Sequence, residues 1–187
     1  QIVEAYRHIP QPSVVKPVDG GSSIGVHLAR SFFEFKKALK DAAIHSPTVL
    51  AEEFIPGTEA TCGVIEHFRG ARYYAFPPVE IIPQSGKSFF DYEAKYSGKS
   101  QELCPASFRR EVKREIEGMA IAAHRALKLR HYSRADFIIS PRGVYLLEIN
   151  SLPGLTEKSL LPKAARAIGL SFHAFLDHVL TLALTRR

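Results

Sequence analysis

Hydrophobic positions along the chain follow two spacings, which predict helices and strands in mixed order. Apolar residues three to four positions apart predict helices over 107–127, 164–168 and after Ser171, and the capping-box sequence Ser31-x-x-Glu34 predicts the start of another. Alternating or continuous β-prone runs predict strands at 14–16, 24–28, 48–54, 60–68, 71–76, 79–82 and on both sides of Pro141-Arg142-Gly143. This order predicts an α+β fold with helices on one side of an antiparallel sheet.

Two segments fit no periodic pattern. Residues 1–12 show no regular element before a strand begins, which suggests a chain that starts inside a longer protein. Residues 83–106 are rich in Ser, Gly, Lys and Tyr, and a loop this long within a compact domain is usually a lid or a binding loop. We therefore divide the chain into an unmatched segment 1–12, a small subdomain 13–76 and a second subdomain 77–187 that carries the mobile loop.

The composition narrows the classes of function. The chain has 187 residues, of which 45% are hydrophobic, no apolar run long enough to cross a membrane and no secretory leader. Cys62 and Cys104 are far apart, which favours a reducing, cytoplasmic setting. The net charge is +6, but the cations of 109–117 alternate with acids, as on a solvated helix face. We therefore expect neither a nucleic-acid partner nor a membrane partner.

The hairpin over 134–150 is the strongest candidate for chemistry. If its strands fold back about Arg142, Asp136 lies opposite Glu148 and Arg134 lies opposite Asn150, with all four side chains on one face. Two carboxylates and an amide oxygen form a hard ligand set that suits Mg²⁺. Alternating charges on a solvated strand would explain the same residues, and a bulge at Gly143 would place the carboxylates on opposite faces.

Three further segments carry polar groups at turns. Lys16 precedes a glycine-serine loop over 17–25 that could hold phosphate through its backbone N–H groups, or could be a flexible turn. Acids flank the turn in 52–59, where a strand end could hydrogen-bond an adenine. Lys95 lies between tyrosines in the long loop, where it could close over phosphates or simply be exposed.

Together these segments resemble the ATP-grasp superfamily and, within it, the D-alanine–D-alanine ligases. The matching strings are Val15-Lys-Pro with Gly21-Ser-Ser-Ile-Gly25, Glu52-Glu-Phe-Ile-Pro-Gly-Thr-Glu59, Phe90-Asp-Tyr-Glu-Ala-Lys-Tyr96, Arg134-Ala-Asp136, Leu147-Glu-Ile-Asn150, Leu152-Pro-Gly-Leu-Thr156 and Ser159-Leu160. The resemblance runs from Val14 to the C-terminus. It implies an ATP-grasp fold of antiparallel sheets covered by helices.

The resemblance also implies a role for each matching residue. The implied ATP contacts are Lys16, Ser22, Ser23, Glu52, Ile55, Glu59, Phe89, Lys95 and Ile138. The implied ligands of two Mg²⁺ ions, which Mn²⁺ could replace, are Asp136, Glu148 and Asn150. The implied catalytic groups are Arg134 and the Gly154 N–H at an oxyanion site, with Ser22 and Tyr96 in a network that activates the substrates. The implied substrate contacts are Tyr92, Ser159 and Leu160.

The implied reaction is the ligation of two D-alanines through an acyl phosphate, for peptidoglycan precursor synthesis. Tyr96 accompanies an amine nucleophile in this family, so we expect a dipeptide product. A homodimer is compatible with the full-length protein. The family's N-terminal domain, which helps to position the first D-alanine, has no counterpart here, and Gly20 stands where glutamate is common. We therefore expect weak Mg-ATP binding and little ligation by this chain alone. Another ATP-grasp carboxylate–amine ligase and a non-catalytic ATP-grasp module are the alternatives.

Overall fold

The computed structural model describes residues 2–19, 21, 23–83 and 100–185. Helices and antiparallel strands alternate along the chain, which confirms the α+β prediction. The helices are α1 Ile2–His8, α2 Phe32–Ala43, α3 Arg110–Ala126, α4 Leu160–Ala167 and α5 Phe172–Thr185. The strands are β1 Ser13–Pro17, β2 His27–Ala29, β3 Val49–Glu53, β4 Thr58–Phe68, β5 Ala71–Ala75, β6 Val79–Pro83, β7 Ser100–Leu103, β8 Tyr132–Ser140 and β9 Gly143–Asn150.

The first of two compact units contains the described residues up to Pro56. Its three-stranded sheet has the order β2-β1-β3, and α2 packs on this sheet through Phe35, Ala38 and Ala42. The N-cap of α2 is Ser31, whose hydroxyl accepts a hydrogen bond from the Glu34 N–H at 3.2 Å, as the capping sequence predicted. The first unit is thus a small sheet with its apolar face closed by a helix.

Helix α1 occupies a segment for which the sequence predicted no regular element. It contributes no fully buried side chain, and its contact with the core is Tyr6, whose ring lies 5.3 Å from that of Phe32 and 5.4 Å from that of Phe35. A helix attached mainly through one aromatic side chain has little amphipathic periodicity. The hydrophobic pattern therefore could not reveal it.

The second unit is built on a six-stranded sheet with the order β7-β6-β4-β8-β9, in which β5 also pairs with β4. Alternate residues of β4 face opposite helices: Ala60, Cys62 and Val64 belong to the core under α3, whereas Ile65 belongs to the core under α4 and α5. Helices therefore cover both faces of this sheet, and the expectation of helices on one side was wrong. Hydrophobic periodicity shows which face of each helix is apolar but not which face of a sheet it covers.

One boundary between the two compact units falls at Pro56/Gly57, whereas the predicted subdomains meet after Phe76. The reason is the position of β4, which pairs with β8 from Thr58↔Ile139 to Ile65↔Tyr132 and so lies inside the larger sheet. The hairpin of β4 and β5 was predicted correctly. Its turn residues have φ angles of 48° at Arg69 and 77° at Gly70, as a tight two-residue hairpin turn requires.

The predicted loop 83–106 includes a strand that the sequence did not reveal. Strand β7 pairs with β6 at the edge of the sheet and has the sequence Ser-Gln-Glu-Leu, which lacks apolar alternation. An edge strand of four residues is held by backbone pairing rather than by side-chain burial. Residues 84–99, which carry most of the predicted lid, lie outside the described residues.

Among the described residues, no single helix has the length and apolar character needed to cross a membrane. Helices α4 and α5 together meet that criterion, but they are bent by 105° relative to each other.

A buried polar cluster joins α3 to the sheet. The buried face of α3 is formed by Ile116, Ala120 and His124, whereas Leu127, the last residue of the predicted helix over 107–127, is 59% exposed. The Nδ1 atom of His124 lies 2.7 Å from the Ser133 hydroxyl, and its Nε2 atom has no hydrogen-bond partner and lies 3.9 Å from a carboxylate oxygen of buried Glu66. Burial lowers the pKa of His124, and the Glu66 charge opposes that shift only in part.

We expect Gly57→Ala to destabilise the second unit, because a Cβ at Gly57 would overlap the backbone carbonyl of Ile139 on the neighbouring strand. Relieving an overlap with backbone costs about 1–3 kcal/mol. The matched control is Gly118→Ala in α3, where a Cβ would meet nothing within 4 Å and should add up to ~1 kcal/mol of helix stability. Urea unfolding gives the free energy of unfolding of both variants. Equal values would contradict the close approach of Gly57 to the Ile139 carbonyl.

We also expect the free energy of unfolding to decrease on acidification because of His124. The unfolded chain takes up a proton as the pH falls through the ordinary value of 6.5, whereas the folded chain, in which the pKa is lowered, does not. The contribution of His124 to the free energy of unfolding is therefore fully present above pH 6.5. Below pH 6.5 it decreases by at most ~1.4 kcal/mol per pH unit.

The measurement is urea unfolding between pH 8 and pH 5. His124→Asn should reduce this dependence, because asparagine keeps a polar group near Ser133 but does not titrate. His173→Asn, which removes an exposed histidine from α5, is the control and should leave the dependence unchanged. An unaltered pH profile in His124→Asn would show that the buried imidazole does not govern it.

Candidate active site

Strands β8 and β9 place the two predicted acids opposite each other in the ladder. Asp136 is opposite Glu148, and Arg134 is opposite Asn150, as the sequence predicted. The turn that leads to this register is not the predicted one about Arg142. The turn contains two residues, with Ser140 opposite Gly143, and that register alone would place Asp136 opposite Leu147.

A bulge corrects the register. The pairing shifts between Asp136 and Phe137, so that Phe137 faces Leu146, Asp136 faces Glu148 and Leu147 has no partner in the ladder. One extra residue in a strand moves every later side chain to the other face. The bulge at Leu147 therefore brings the two carboxylates together. The alternative, a bulge at Gly143, would place them on opposite faces.

The carboxylate of Asp136 is held by several donors. Arg134 forms a fork, with Nε 2.9 Å from Oδ1 and Nη2 2.9 Å from Oδ2. The Thr61 hydroxyl lies 2.6 Å from Oδ1, and the amide nitrogen of Asn150 donates to Oδ2 at 3.1 Å. The side chains of Arg134 and Asp136 are only 18% and 21% exposed, so the pair is shielded from water. Two of the three predicted metal ligands, Asp136 and Asn150, and the predicted catalytic Arg134 thus belong to one hydrogen-bond network.

Arg134 is the cation that compensates the two acids in the described structure. Desolvation by burial works to lower the pKa of Arg134, but the hydrogen bonds and charge of Asp136, together with the charge of Glu148, outweigh it and raise the pKa. The guanidinium therefore stays charged. Arg134, which lies on β8 as Asp136 does, thus relieves the repulsion expected between the carboxylates of Asp136 and Glu148.

The donor set fits a hard divalent cation in chemistry and in placement. Asp136, Glu148 and Asn150 provide carboxylate and amide oxygens on one face of two neighbouring strands, which is the ligand type that Mg²⁺ prefers. In the part of the chain that the structure describes, no three His, Cys, Asp or Glu side chains form a potential metal site, so a third acid does not complete the set. Glu148 is exposed, as a ligand that reaches a solvated ion would be.

Thr61 is a member of the site that the sequence analysis missed. It lies opposite Asp136 in the pairing of β4 with β8, is only 1% exposed, and its hydroxyl lies within hydrogen-bond distance of both the Asp136 carboxylate and the Ala135 carbonyl. A threonine in a strand is too common to draw attention. Its contact with Asp136 depends on a pairing between strands far apart in sequence.

The same face of the second unit carries two of the predicted ATP contacts. Glu59 pairs with Ile138 in the ladder of β4 and β8, two residues along each strand from the pair Thr61 and Asp136. Glu59 is half-buried and Ile138 is 8% exposed. The tertiary structure therefore brings a predicted ribose-binding acid and a predicted apolar wall next to the predicted metal ligands.

The first unit contains a second group of predicted ATP contacts. Lys16 on β1 and Glu52 on β3 form an ion pair of 2.7 Å, with 16% and 33% of their side chains exposed. Ile55, half-buried, follows β3. A positive and a negative group implied to contact one nucleotide are thus adjacent, and each neutralises the other in the described structure.

The described part of the glycine-serine loop is a tight turn. Ser23 and Gly25 have φ angles of 58° and 72°, and the N–H groups of Ile24 and Val26 donate to carbonyls within the loop at 3.2 and 3.3 Å. These two N–H groups are therefore engaged internally in this conformation. A phosphate at this loop would have to rely on other donors or on a rearrangement.

Two of the three predicted substrate-binding residues, Ser159 and Leu160, lie at the N-terminus of α4. Ser159 is the N-cap, and its hydroxyl accepts a hydrogen bond from the Thr156 N–H at 3.1 Å. Gly154 is exposed, and a Cβ there would lie 3.0 Å from the Ser159 hydroxyl oxygen, so the two residues are neighbours. Leu160 packs against the core under α4 and α5. The structure thus groups Gly154, Ser159 and Leu160 at one helix start.

Five of the predicted site residues, all in the glycine-serine loop or the long loop, lie outside the described residues: Ser22, Phe89, Tyr92, Lys95 and Tyr96.

Solved structures share this architecture. The D-Ala:D-Ser ligase VanG from Enterococcus faecalis is 33% identical, with a TM-score of 0.82 over 97% of this chain and 52% of that chain. A D-alanine–D-alanine ligase from Bacillus anthracis is 32% identical, with a TM-score of 0.82 over 98% of this chain and 58% of that chain. The fold is therefore that of the ATP-grasp ligases.

Sequence comparison gives the family. A family model described as D-ala D-ala ligase C-terminus matches residues 2–181. A D-alanine–D-alanine ligase from Desulfotalea psychrophila is 43% identical over 98% of this chain and 57% of its own length, and one from Leptospira interrogans is 38% identical over 94% and 50%. The chain belongs to the D-alanine–D-alanine ligase family and spans about half the length of these relatives. The match begins at residue 2, so it includes most of the segment 1–12 that the sequence analysis had left unmatched.

We expect Thr61→Val to destabilise the chain by about 1–2 kcal/mol, because valine has the same shape but leaves Asp136 without one donor. Thr61→Ser, which keeps the hydroxyl, should recover most of this loss. Urea unfolding of both variants tests the expectation. If valine destabilises the chain no more than serine does, the hydrogen bond from Thr61 to Asp136 does not contribute the expected stability.

Proposed function

We propose that this chain supplies the ATP-binding and catalytic part of a D-alanine–D-alanine ligase. The protein would phosphorylate one D-alanine carboxylate with ATP and ligate the resulting acyl phosphate to the amine of a second D-alanine. The observation that carries this proposal is the network of Arg134, Asp136, Glu148 and Asn150 on one face of β8 and β9. Membership of the family supports it.

Groups on or beside β1, β3, β4 and β8 would serve the nucleotide. Lys16 would contact phosphate, Glu52 and the Ile55 backbone would meet the adenine, and Glu59 would hold the ribose hydroxyls. Ile138 would provide an apolar wall. The burial of Ile138 and the partial burial of Lys16 and Glu59 support these roles, since charged and polar groups bind a ligand more strongly where water is limited.

Asp136, Glu148 and Asn150 would hold Mg²⁺. When bound, the metal would neutralise the negative charge of the transferring phosphoryl group. Arg134 and the Gly154 N–H would stabilise the oxyanion that develops when the amine attacks the acyl phosphate. Arg134 suits this role because a guanidinium stays charged at any pH at which the amine is reactive.

Ser159 and Leu160 would hold the carboxylate of the second D-alanine at the start of α4. An N-terminal helix end offers unpaired N–H groups to an anion. The Ser159 hydroxyl, which contacts Thr156 in the described structure, lies beside Gly154. The two groups are therefore close enough to act on neighbouring parts of one substrate.

A D-alanine–D-serine ligase is the second candidate, because VanG, which has this activity by its name, is similar in fold and sequence. A panel of acceptor amino acids separates the two. Phosphate release with D-alanine alone supports the dipeptide ligase. Release that requires D-serine supports the alternative, and release that requires neither argues for another carboxylate–amine ligase.

We expect Asp136→Asn and Glu148→Gln to lower the Mg²⁺-dependent affinity for ATP at least ~10-fold, because each removes a charged metal ligand. Calorimetric titration of the chain with a non-hydrolysable ATP analogue, with and without Mg²⁺, measures the metal-dependent part. Asp177→Asn is the control, since it removes an exposed carboxylate of α5 in the same unit. Unchanged Mg²⁺-dependent binding in the two site variants would refute the proposed metal site.

A further inference from the structure

The carboxylate of Asp136 is saturated in the described structure. Its two oxygens meet four donor atoms: Nε and Nη2 of Arg134, the Thr61 hydroxyl and the Asn150 amide nitrogen. An ionised carboxylate offers about four lone-pair positions in all. A cation can therefore bind to Asp136 only if at least one of these donors withdraws.

A divalent cation would displace Arg134, because both are positive charges that bind to Asp136. Thr61 is neutral and only 1% exposed, so its side chain has little room to withdraw from Asp136. Arg134 is positive, contacts both oxygens of Asp136 and is influenced by the charge of Glu148 as well. A second positive charge close to Arg134 would repel it, because like charges a few ångströms apart in a poorly solvated site interact strongly.

We propose that Arg134 competes with the metal ion for Asp136: its fork holds the carboxylate in the metal-free protein and opens when a divalent cation binds. This inference rests on the metal site proposed above. It assigns Arg134 two successive partners, first Asp136 and then the oxyanion of the reacting substrate. The arginine then becomes available to the substrate only after the metal has bound.

Asn150 undergoes a linked change. Its NH₂ group donates to Asp136 in the described structure, so its amide oxygen points away from that carboxylate. An amide that ligates a metal must present its oxygen instead, which requires the side chain to turn. The cation thus replaces two donors that now neutralise Asp136, and Thr61 remains to hold Oδ1.

The test is a titration of the full 187-residue chain with Mn²⁺ alone, following free Mn²⁺ by electron paramagnetic resonance. Arg134→Met keeps much of the side-chain length and removes the charge and the fork. We expect this variant to bind Mn²⁺ at least ~5-fold more tightly than the parent, because the competing cation is gone. Arg130→Met, which removes an exposed arginine just before β8, controls for the change in net charge and should alter the affinity less than ~2-fold.

The outcomes separate this inference from the proposed function. Tighter binding by Arg134→Met, including binding where the parent shows none, supports the competition. Weaker or equal binding by Arg134→Met, with the parent binding Mn²⁺, overturns the competition and leaves the metal site intact. The absence of Mn²⁺ binding in both proteins overturns both proposals.

A second measurement follows Arg134 in the parent chain itself. In the parent chain, the Nε–Hε group of Arg134 donates to Asp136. Its ¹H–¹⁵N resonance, assigned by comparison with Arg134→Lys, should move and exchange faster with water as Mg²⁺ is added. The Nε–Hε resonances of exposed arginines serve as the internal control. A resonance of Arg134 that stays in place at saturating Mg²⁺ would show that the fork remains closed and would overturn the inference.

Discussion

Asp136 and Glu148 are opposite each other on neighbouring strands, and their mutual repulsion determines how the surrounding groups are arranged. The register that places them together arises from one residue, Leu147, which bulges from the ladder. Two opposed carboxylates are stable only when positive or donor groups surround them. The fork of Arg134 and the Thr61 hydroxyl meet that requirement in the described structure.

The helices of the second unit leave this network outside the apolar cores. Helix α3 covers one face of the sheet completely enough to bury Ala135 and Phe137 from β8. Helices α4 and α5 cover the other face around Gly63 and Ile65, where a Cβ at Gly63 would overlap Leu161. The polar residues of β4 and β8 lie further along that face, toward Thr58. An apolar core and an accessible polar site therefore share one sheet, because the helices cover only one end of the second face.

Charged site residues in each unit form ion pairs with a neighbour in the same unit. Lys16 pairs with Glu52, and Arg134 pairs with Asp136. Such pairs keep half-buried charges stable. Under the proposed function, a ligand would replace one partner of each pair, and this exchange of ion pairs would cost less than desolvating an unpaired charge. The proposed displacement of Arg134 from Asp136 follows the same logic.

Local patterns were sufficient to predict most elements of this chain. Alternating hydrophobic residues predicted the hairpins of β4 with β5 and of β8 with β9, and Ser31 with Glu34 predicted the start of α2. The four polar residues of the last hairpin were predicted as one group, although their register depends on a two-residue turn and a bulge at Leu147 rather than on the predicted turn about Arg142. Residues whose roles depend on contacts within a single hairpin or helix were thus predictable.

The tertiary structure decided what depends on pairing between distant segments. The contact of Thr61 with Asp136, the place of β4 in the larger sheet and the cover of both sheet faces all require strands far apart in sequence to pair. The buried position of His124 follows from the rotation of α3 against that sheet. The bulge at Leu147 was hidden for a related reason, because a strand accepts an extra residue where packing on the sheet makes one register more stable than the other. The sequence by itself determined the elements and the chemical groups they carry, and long-range packing decided which of those groups meet.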